Sequence, residues 1–471
     1  MRIIIVGCGQ VGVTIARYLS QEGNDIVIID KHSDAFDKVV ETLDVMVIKG
    51  NGLSARTLRE ASVHEADLII SVTGSDETNI LCCLTARKLG VKYAIGRVRD
   101  PEYASDLNRF RHDLGLDLII NPEHQAALEI SRLLRFPNAD NIETFVRGSV
   151  EMVSFRLEDS SLLVGKSLIR AFPHDQVHVV VAVVERANEV IIPRGSFVLQ
   201  AGDIIRIMGS PRDISGFFSY LGQERGKVAS VMVVGGSLIA RYLVEELQHE
   251  HIKFKIIDSD LDRCEELSEA LPNCTIIHGD GTDEDLLDAE DIAAMGAVVC
   301  LTPSDEENVI IGLYAQSAGE AKAIIKVTHI NSSLIRRLGF SSVVAPQTIT
   351  AYQIIRYVRG LQNSAARSSI RTMYQIARGD GDYAEALEFL VHPGSRCIGV
   401  PLKELRIREG ILVGSVVRRG NVITPSGSTA IADGDTVIII IKNEAINELD
   451  EILVDQDSNL EDLVEYYRRF R

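Results

Sequence analysis

Short apolar runs alternate with amphipathic stretches through the first part of the chain. The runs are Ile3–Val6, Ile26–Ile29, Val45–Ile48, Leu68–Val72, Tyr93–Arg97 and Leu118–Ile120. Each is too short for a helix and is bounded by polar or glycine residues, which predicts strands buried in a parallel sheet. The stretches between them, Val13–Gln21 first, repeat apolar positions at helical spacing. A last helix over Glu123–Arg135 ends at Phe136-Pro137, since the residue before a proline leaves the helical region. Strands alternating with helices predict a doubly wound α/β unit over 1–136.

The period changes over 139–222. Val150–Leu157 and Val177–Glu185 alternate or run β-branched, and Glu189–Pro193 and Asp203–Gly209 follow, with Gly195, Gly202 and Gly209 as turns. That is a small α+β unit. Gly222–Lys227 reads as a linker, and then the pattern starts again. Gly7 and Asp30 are answered by Gly235 and Asp258, each 228 positions on. The helices even share the run Ile-Ala-Arg-Tyr-Leu, in a shifted register. Gly50-Asn51-Gly52 is answered by Gly279-Asp280-Gly281, and Thr73-Gly74-Ser75-Asp76 with Asn79 by Thr302-Pro303-Ser304-Asp305 with Asn308. Arg97 is answered by Lys326, Asn121-Pro122 by Ala345-Pro346, and Gly202-Asp203 by Gly434-Asp435. A repeat this long is a tandem duplication. It predicts two Rossmann-like doubly wound parallel sheets, each followed by a small α+β domain: 1–136, 139–222, 228–360 and 383–456. Leu361–Asp382 reads as a loop or linker with some helical content, and Asn459–Arg471 as a short terminal helix.

The most chemical segment is the first turn, Gly7-Cys8-Gly9-Gln10-Val11-Gly12, between an apolar run and a helix, with Asp30 closing the next run. A nucleotide site needs this order. Gly7 makes the tight turn, Gly9 lets a pyrophosphate approach the backbone, and Gly12 lets helix and sheet pack closely. The phosphates sit on the helix N-terminus, and Asp30 accepts from ribose hydroxyls. Cys8, Gln10, Val11 and Lys31 complete this candidate site. In the second half Ser237 and Ala240 replace the second and third glycines while Asp258 remains, so that half is expected to bind nucleotide weakly, differently or not at all. Bland alternatives stand beside several positions. Gly50 and Gly52 suit a plain turn, Asp76 suits a helix N-cap with Asn79 on the first turn, and Arg97 suits a surface ion pair.

Composition narrows the class. Hydrophobic residues make up 46%, charged residues 25%, and there is no Trp, as in a globular chain of several domains. The net charge of −18 and the lack of a basic stripe argue against a nucleic-acid partner. The short basic end, Arg468-Arg469-Phe470-Arg471, reads as a solvated tail. The longest apolar runs, Val177–Val184 and Val437–Ile441, fall far below the roughly 18–20 residues of a membrane span. The first residues read as a strand, not a secretory leader. Seven cysteines, an odd number with no C-x-x-C pair, predict buried free thiols in a reducing compartment.

Several motifs fail. Gly165-Lys166-Ser167 looks like the tail of a phosphate loop, but Ser160 stands where its first glycine belongs. His174 and His178 have helical metal-ligand spacing inside a strand-like run. His249 and His251 bracket Glu250 at a helix end, where solvation is expected. No nucleophile or zinc signature is present.

With the repeat mapped, the chain resembles the TrkA family, the cytoplasmic regulatory subunits of Trk-type potassium uptake systems, with tandem RCK (KTN) domains. The likeness covers nearly the whole chain, and the tandem order is its specific part. It implies a regulator, not an enzyme. Its nucleotide residues carry over to Gly7, Gly9, Gly12 and Asp30, with Asp258 as the second-half acid. Asn51 stands where the family's third-strand turn usually has an acid, followed here by Gly52; Asp280 keeps it. Thr73, Gly74 and Asp76 would face the ligand, Asn79 begins the next helix, and Arg97 resembles a basic residue reaching phosphates or a partner. NAD(H) and ATP/ADP fit equally as bound effectors. The resemblance further implies a membrane potassium transporter subunit (TrkH/TrkG-like) as partner, peripheral association with the inner face of the membrane, and a homotetramer. The rival reading is an NAD(P)-dependent oxidoreductase using the N-terminal turn, although the second half offers no substrate lobe with a proton donor. A weaker third is a scaffold that uses nucleotide only for stability.

Overall fold

A computed structural model describes residues 1–454 except 22, 33–35, 102–109, 112, 137–138, 174–176, 223–227, 329–333, 336–337, 341, 367–369, 379–381, 444–445 and 447. Residues 223–227 of the expected linker, His174 and the expected helix at Asn459–Arg471 with its basic end lie outside the described residues.

The first lobe runs β1 (Arg2–Val6), α1 (Gln10–Gln21), β2 (Asp25–Asp30), α2 (Phe36–Thr42), β3 (Met46–Lys49), α3 (Ala55–Glu60), β4 (Leu68–Ser71), α4 (Asp76–Lys88), β5 (Tyr93–Arg97), β6 (Leu118–Ile120) and α5 (Pro122–Arg135). Its 6-stranded sheet has the order β3-β2-β1-β4-β5-β6, and every pairing is parallel. The order reverses between β1 and β4, so the crevice for a ligand opens at their carboxyl ends. Ile3, Ile4 and Ile5 are fully buried, as a central strand covered on both faces requires.

The next sheet is antiparallel. β7 (Asn141–Phe145), β8 (Val150–Arg156), β9 (Val180–Arg186), β10 (Glu189–Ile191) and β11 (Ile204–Gly209) assemble in the order β10-β9-β11-β8-β7, with α6 (Leu168–Ala171) and α7 (Pro211–Tyr220) beside them. The second half repeats the first. β12 (Ser230–Val234), α8 (Leu238–Leu247), β13 (Lys253–Asp258), α9 (Leu261–Ala270), β14 (Thr275–His278), α10 (Glu284–Ala289), β15 (Ala297–Cys300), α11 (Asp305–Ala318), β16 (Lys322–Lys326), β17 (Ser342–Val344) and α12 (Pro346–Ala366) build the second parallel lobe, ordered β14-β13-β12-β15-β16-β17. β18 (Ile370–Arg378), β19 (Tyr383–Leu390), β20 (Ile411–Arg418), β21 (Asn421–Ile423) and β22 (Thr436–Lys442) form the last sheet, ordered β18-β19-β22-β20-β21.

The expected linker at Leu361–Asp382 is corrected. Its start continues α12, and Ile370–Arg378 is an edge strand paired with β19. Polar residues at an edge hid it, and its counterpart β7 was missed for the same reason. The described chain forms two compact units. One contains both parallel lobes, and within it α5 of the first lobe packs along α8 of the second. The other contains both antiparallel sheets, which share a core including Phe145, Met152, Val183, Met208, Ile438 and Ile440.

The Gly-Asp anchors of the small domains have a physical cause. Arg186 grips Asp203 through two hydrogen bonds of 2.7 Å, and Arg418 grips Asp435 at 2.9 and 2.8 Å. Both carboxylates are 1% exposed. Arg186→Met strands the Asp203 carboxylate in the core, and we expect a loss of about 3 kcal/mol. Asp203→Asn keeps the volume and should cost less, about 1.5–3 kcal/mol. Urea unfolding of the two variants measures the order.

Candidate functional site

Gly7 leaves β1 with φ +113, a region that side chains rarely adopt. Its N–H donates to the Ile29 carbonyl at 2.9 Å, so the turn is pinned to β2. A Cβ on Gly7 would stand 2.9 Å from the Val72 carbonyl oxygen, at the end of β4. Gly12 lies against the Gly7 carbonyl and leaves no room for a Cβ. Gly9 is the opposite case: it is exposed, and a Cβ there would meet nothing within 4 Å. Two glycines are therefore spent on close packing and one on open space at the start of α1. Gln10 is exposed beside it, and Val11 is buried on the helix's inner face.

Asp30 holds this turn. One carboxylate oxygen accepts the Cys8 N–H at 2.6 Å and the other accepts the His32 N–H at 2.9 Å. A carboxylate offers about four lone-pair sites, so about two are left for further donors. Cys8 is buried, and burial together with the nearby Asp30 charge pushes its thiol pKa up, which keeps it unreactive. Lys31 follows, exposed. Gly52 packs against Val6 and lies close to Cys82, so it closes the floor by contact and not by an unusual φ. Asn51 accepts the Leu53 N–H at 3.1 Å in a side-chain-stabilised turn, the arrangement Asp280 repeats with the Thr282 N–H at 2.8 Å. The acid and the amide thus do the same structural job.

The β4 side needs correction. The cap of α4 is Ser75, which accepts the Thr78 N–H; Asp76 is not the cap. Asp76 is buried and accepts the Arg99 and Asp100 N–H groups at 2.7 and 3.0 Å. Asn79 is fully buried; its oxygen accepts from Thr73 and Ser71, and its amide donates to the Thr73 and Arg97 carbonyls. Both side chains fasten the ends of β4 and β5. Thr73 is bound into this clamp, leaving Gly74 exposed at the rim. Arg97 pairs with Glu123 at 2.8 Å, with side chains 14% and 20% exposed, so it is not a surface pair. The structure brings the Gly7–Gly12 turn, Asp30, Asn51, Gly52, Thr73 and Gly74 to one crevice. It assigns Asp76, Asn79 and Arg97 to the supporting framework.

Asp258 serves the second lobe's own turn. It accepts the Gly236 N–H at 2.6 Å and the Asp260 N–H at 2.9 Å, and it meets Arg263 at 3.4 Å. Ser237 occupies the place that Gly9 leaves open, and Ala240 is fully buried where Gly12 stands in the first lobe. Beside this turn a cavity of ≈ 390 Å³ is lined by residues including Ser237, Arg241, Arg263 and Glu266. Arg99, which grips Asp76 and Gly74, was missed in the sequence because Thr328 replaces it in the repeat. Among the described residues there is no metal-type cluster of three or more His, Cys, Asp or Glu, and no helix long and apolar enough to cross a membrane. Six of the seven cysteines are buried free thiols; Cys274 is half-buried.

The TrkA-N domain family matches residues 3–122 and 231–346, and the TrkA-C domain family matches 152–222 and 386–454. "Trk system potassium uptake protein TrkA homolog 1" of Methanosarcina mazei is 33% identical over 460 residues, covering 96% of this chain and 99% of that protein. "Trk system potassium uptake protein TrkA" of Halomonas elongata is 32% identical over 451 residues, covering 94% and 96%. Among solved structures, the GsuK channel bound to NAD shares the fold at a TM-score of 0.62 and 17% identity, over 93% of this chain and 76% of that one. The GsuK RCK domain does so at 0.61 and 17%, over 93% and 92%. The chain shares the fold of the GsuK RCK domain, and its tandem order is that of the TrkA-N and TrkA-C families, which belong to potassium-uptake systems and not to enzymes. The chain belongs to the TrkA family. The oxidoreductase reading falls with that result.

The glycines separate cleanly by experiment. Gly9→Ala should leave unfolding unchanged within about 0.5 kcal/mol, because the site is open. Gly12→Ala should cost about 1–3 kcal/mol through overpacking against Gly7. Thermal unfolding of both variants tests the pair.

Proposed function

We propose that the chain is a nucleotide-sensing regulatory subunit that gates a membrane potassium transporter of the TrkH/TrkG-like kind. In this reading 1–136 and 228–360 are the nucleotide-type lobes, and 139–222 and 383–456 the small lobes. The protein works as a homotetramer, held at the inner face of the cell membrane by its partner. The first lobe takes NAD(H) or ATP/ADP as an effector. The observation that carries this is the pairing of the open Gly9 backbone with the half-satisfied Asp30 carboxylate at one crevice. Relatives named for Trk potassium uptake, and a channel of the same fold solved with NAD, support it. Regulation then requires that the effector bind one conformation of the assembly better than another.

Calorimetric titration of the full chain with NAD, NADH, ATP and ADP tests the reading. Saturable binding by at least one is expected, weakened roughly 100-fold or more in Asp30→Ala through lost charged hydrogen bonds of about 1.5–3 kcal/mol each. At 100 times its Kd the ligand should add about 2.7 kcal/mol to unfolding of the wild type. Undiminished binding in a folded Asp30→Ala places the site elsewhere, and no binding by any of the four removes the nucleotide reading.

A further inference from the structure

One buried side chain of the second lobe reaches into the framework of the first. Tyr242, on α8, is 8% exposed. Its hydroxyl donates to the Arg99 carbonyl at 2.6 Å and accepts from the Asn121 amide at 2.8 Å. Asn121 also caps α5, accepting the His124 N–H at 2.9 Å, and its amide reaches the Arg99 carbonyl at 3.1 Å. The His124 ring lies 4.9 Å from the Tyr242 ring. Burial pushes the phenol pKa up to about 12, so the hydroxyl keeps its proton.

Arg99 is held on its other side by the ligand-facing turn. Its N–H donates to Asp76 at 2.7 Å and its guanidinium donates to the Gly74 carbonyl. Gly74 is exposed at the crevice rim. A contiguous chain of hydrogen bonds thus runs from Gly74 through Arg99 to Tyr242. From there α8 leads back to Ser237, the second lobe's glycine-turn position.

The reciprocal junction is built from different residues. Ala345 stands where Asn121 stands, so the bridging amide is missing there, and Thr328 stands where Arg99 does. The tyrosine available there, Tyr18, meets the ring of Tyr352 at 5.4 Å. The bridging amide is therefore present at one of the two junctions. The side that keeps it is attached to the lobe that retains all three glycines.

We propose that Tyr242 couples the two parallel lobes, carrying the position of the first lobe's Thr73–Ser75 turn into α8. Its role is positioning, since it touches no ligand. The proposal rests on the nucleotide reading for what moves the turn, but not for the coupling itself. Two measurements on the full chain separate these. In a double-mutant cycle, the Tm losses of Asp76→Asn and Tyr242→Phe should fail to add, because both act through Arg99. Simple additivity overturns the coupling whether or not nucleotide binds. In hydrogen exchange with saturating NAD, NADH, ATP or ADP, whichever the titration shows to bind, the Gly7–Gly12 turn and Leu238–Leu247 should both slow several-fold in the wild type. In Tyr242→Phe, and in Asn121→Ala, which installs the residue the repeat itself uses, the turn should still slow while Leu238–Leu247 does not. Protection of α8 that persists in both variants overturns the proposal, as does a wild type whose turn responds without α8. Failure of all four nucleotides to bind counts against the nucleotide reading, and the cycle then decides the coupling.

Discussion

The carboxylate at the end of the second strand is the constraint on which each parallel lobe is built. A strand that breaks into a glycine turn exposes a backbone N–H near the sheet's carboxyl edge, and an unpaired buried N–H is costly. Asp30 satisfies the Cys8 N–H, and Asp258 does the same for Gly236. The acid therefore has a structural duty before any ligand arrives. That explains its survival in the second half, where the turn has lost two glycines. Retention of this acid is not by itself evidence of a ribose contact. What distinguishes the first lobe is the open space at Gly9 and, among the described residues, the absence there of a pairing like that of Arg263 with Asp258.

Duplication then sets the larger architecture. The two antiparallel sheets bury Met208, Ile438 and Ile440 in one shared core, and the two parallel lobes pack α5 along α8. Neither half would satisfy these surfaces alone. Divergence is tolerated where packing permits. Ala240 is buried on α8, whereas Gly12 lies too close to the Gly7 carbonyl to admit a Cβ. The lobes keep one fold while their turns stop being equivalent.

The parallel sheets were legible because their strands are continuous apolar runs buried on both faces, a signal that needs no partner to interpret. Tyr93–Arg97 and Leu118–Ile120 appear with the bounds the pattern set. The edge strands β7 and β18 were not, since they mix polar and apolar residues and depend on pairing for their identity. The glycine turn was readable because Gly7 and Gly12 sit where a Cβ does not fit. Asp76 and Asn79 were harder. A polar residue after a strand can face a ligand or fasten a turn, and only the hydrogen-bond partners separate the two. Arg186 with Asp203 recurs as Arg418 with Asp435 at the same separation of 17, so that pair was available in the repeat but not extracted.

The same distinction between fastening and facing governs how such a site can signal. A crevice lined entirely by rigidly clamped groups would bind without reporting. Here the exposed Gly74 is attached through the Arg99 guanidinium to a clamp made of Asp76, Asn79 and Arg99, so displacement at the rim pulls on the part-buried hydrogen bonds of that clamp. Breaking them costs more than shifting them together, because each stranded donor or acceptor carries its full desolvation penalty. A clamp whose Asp76 and Asn79 side chains are hydrogen-bonded beneath an exposed glycine rim is therefore suited to move as one piece.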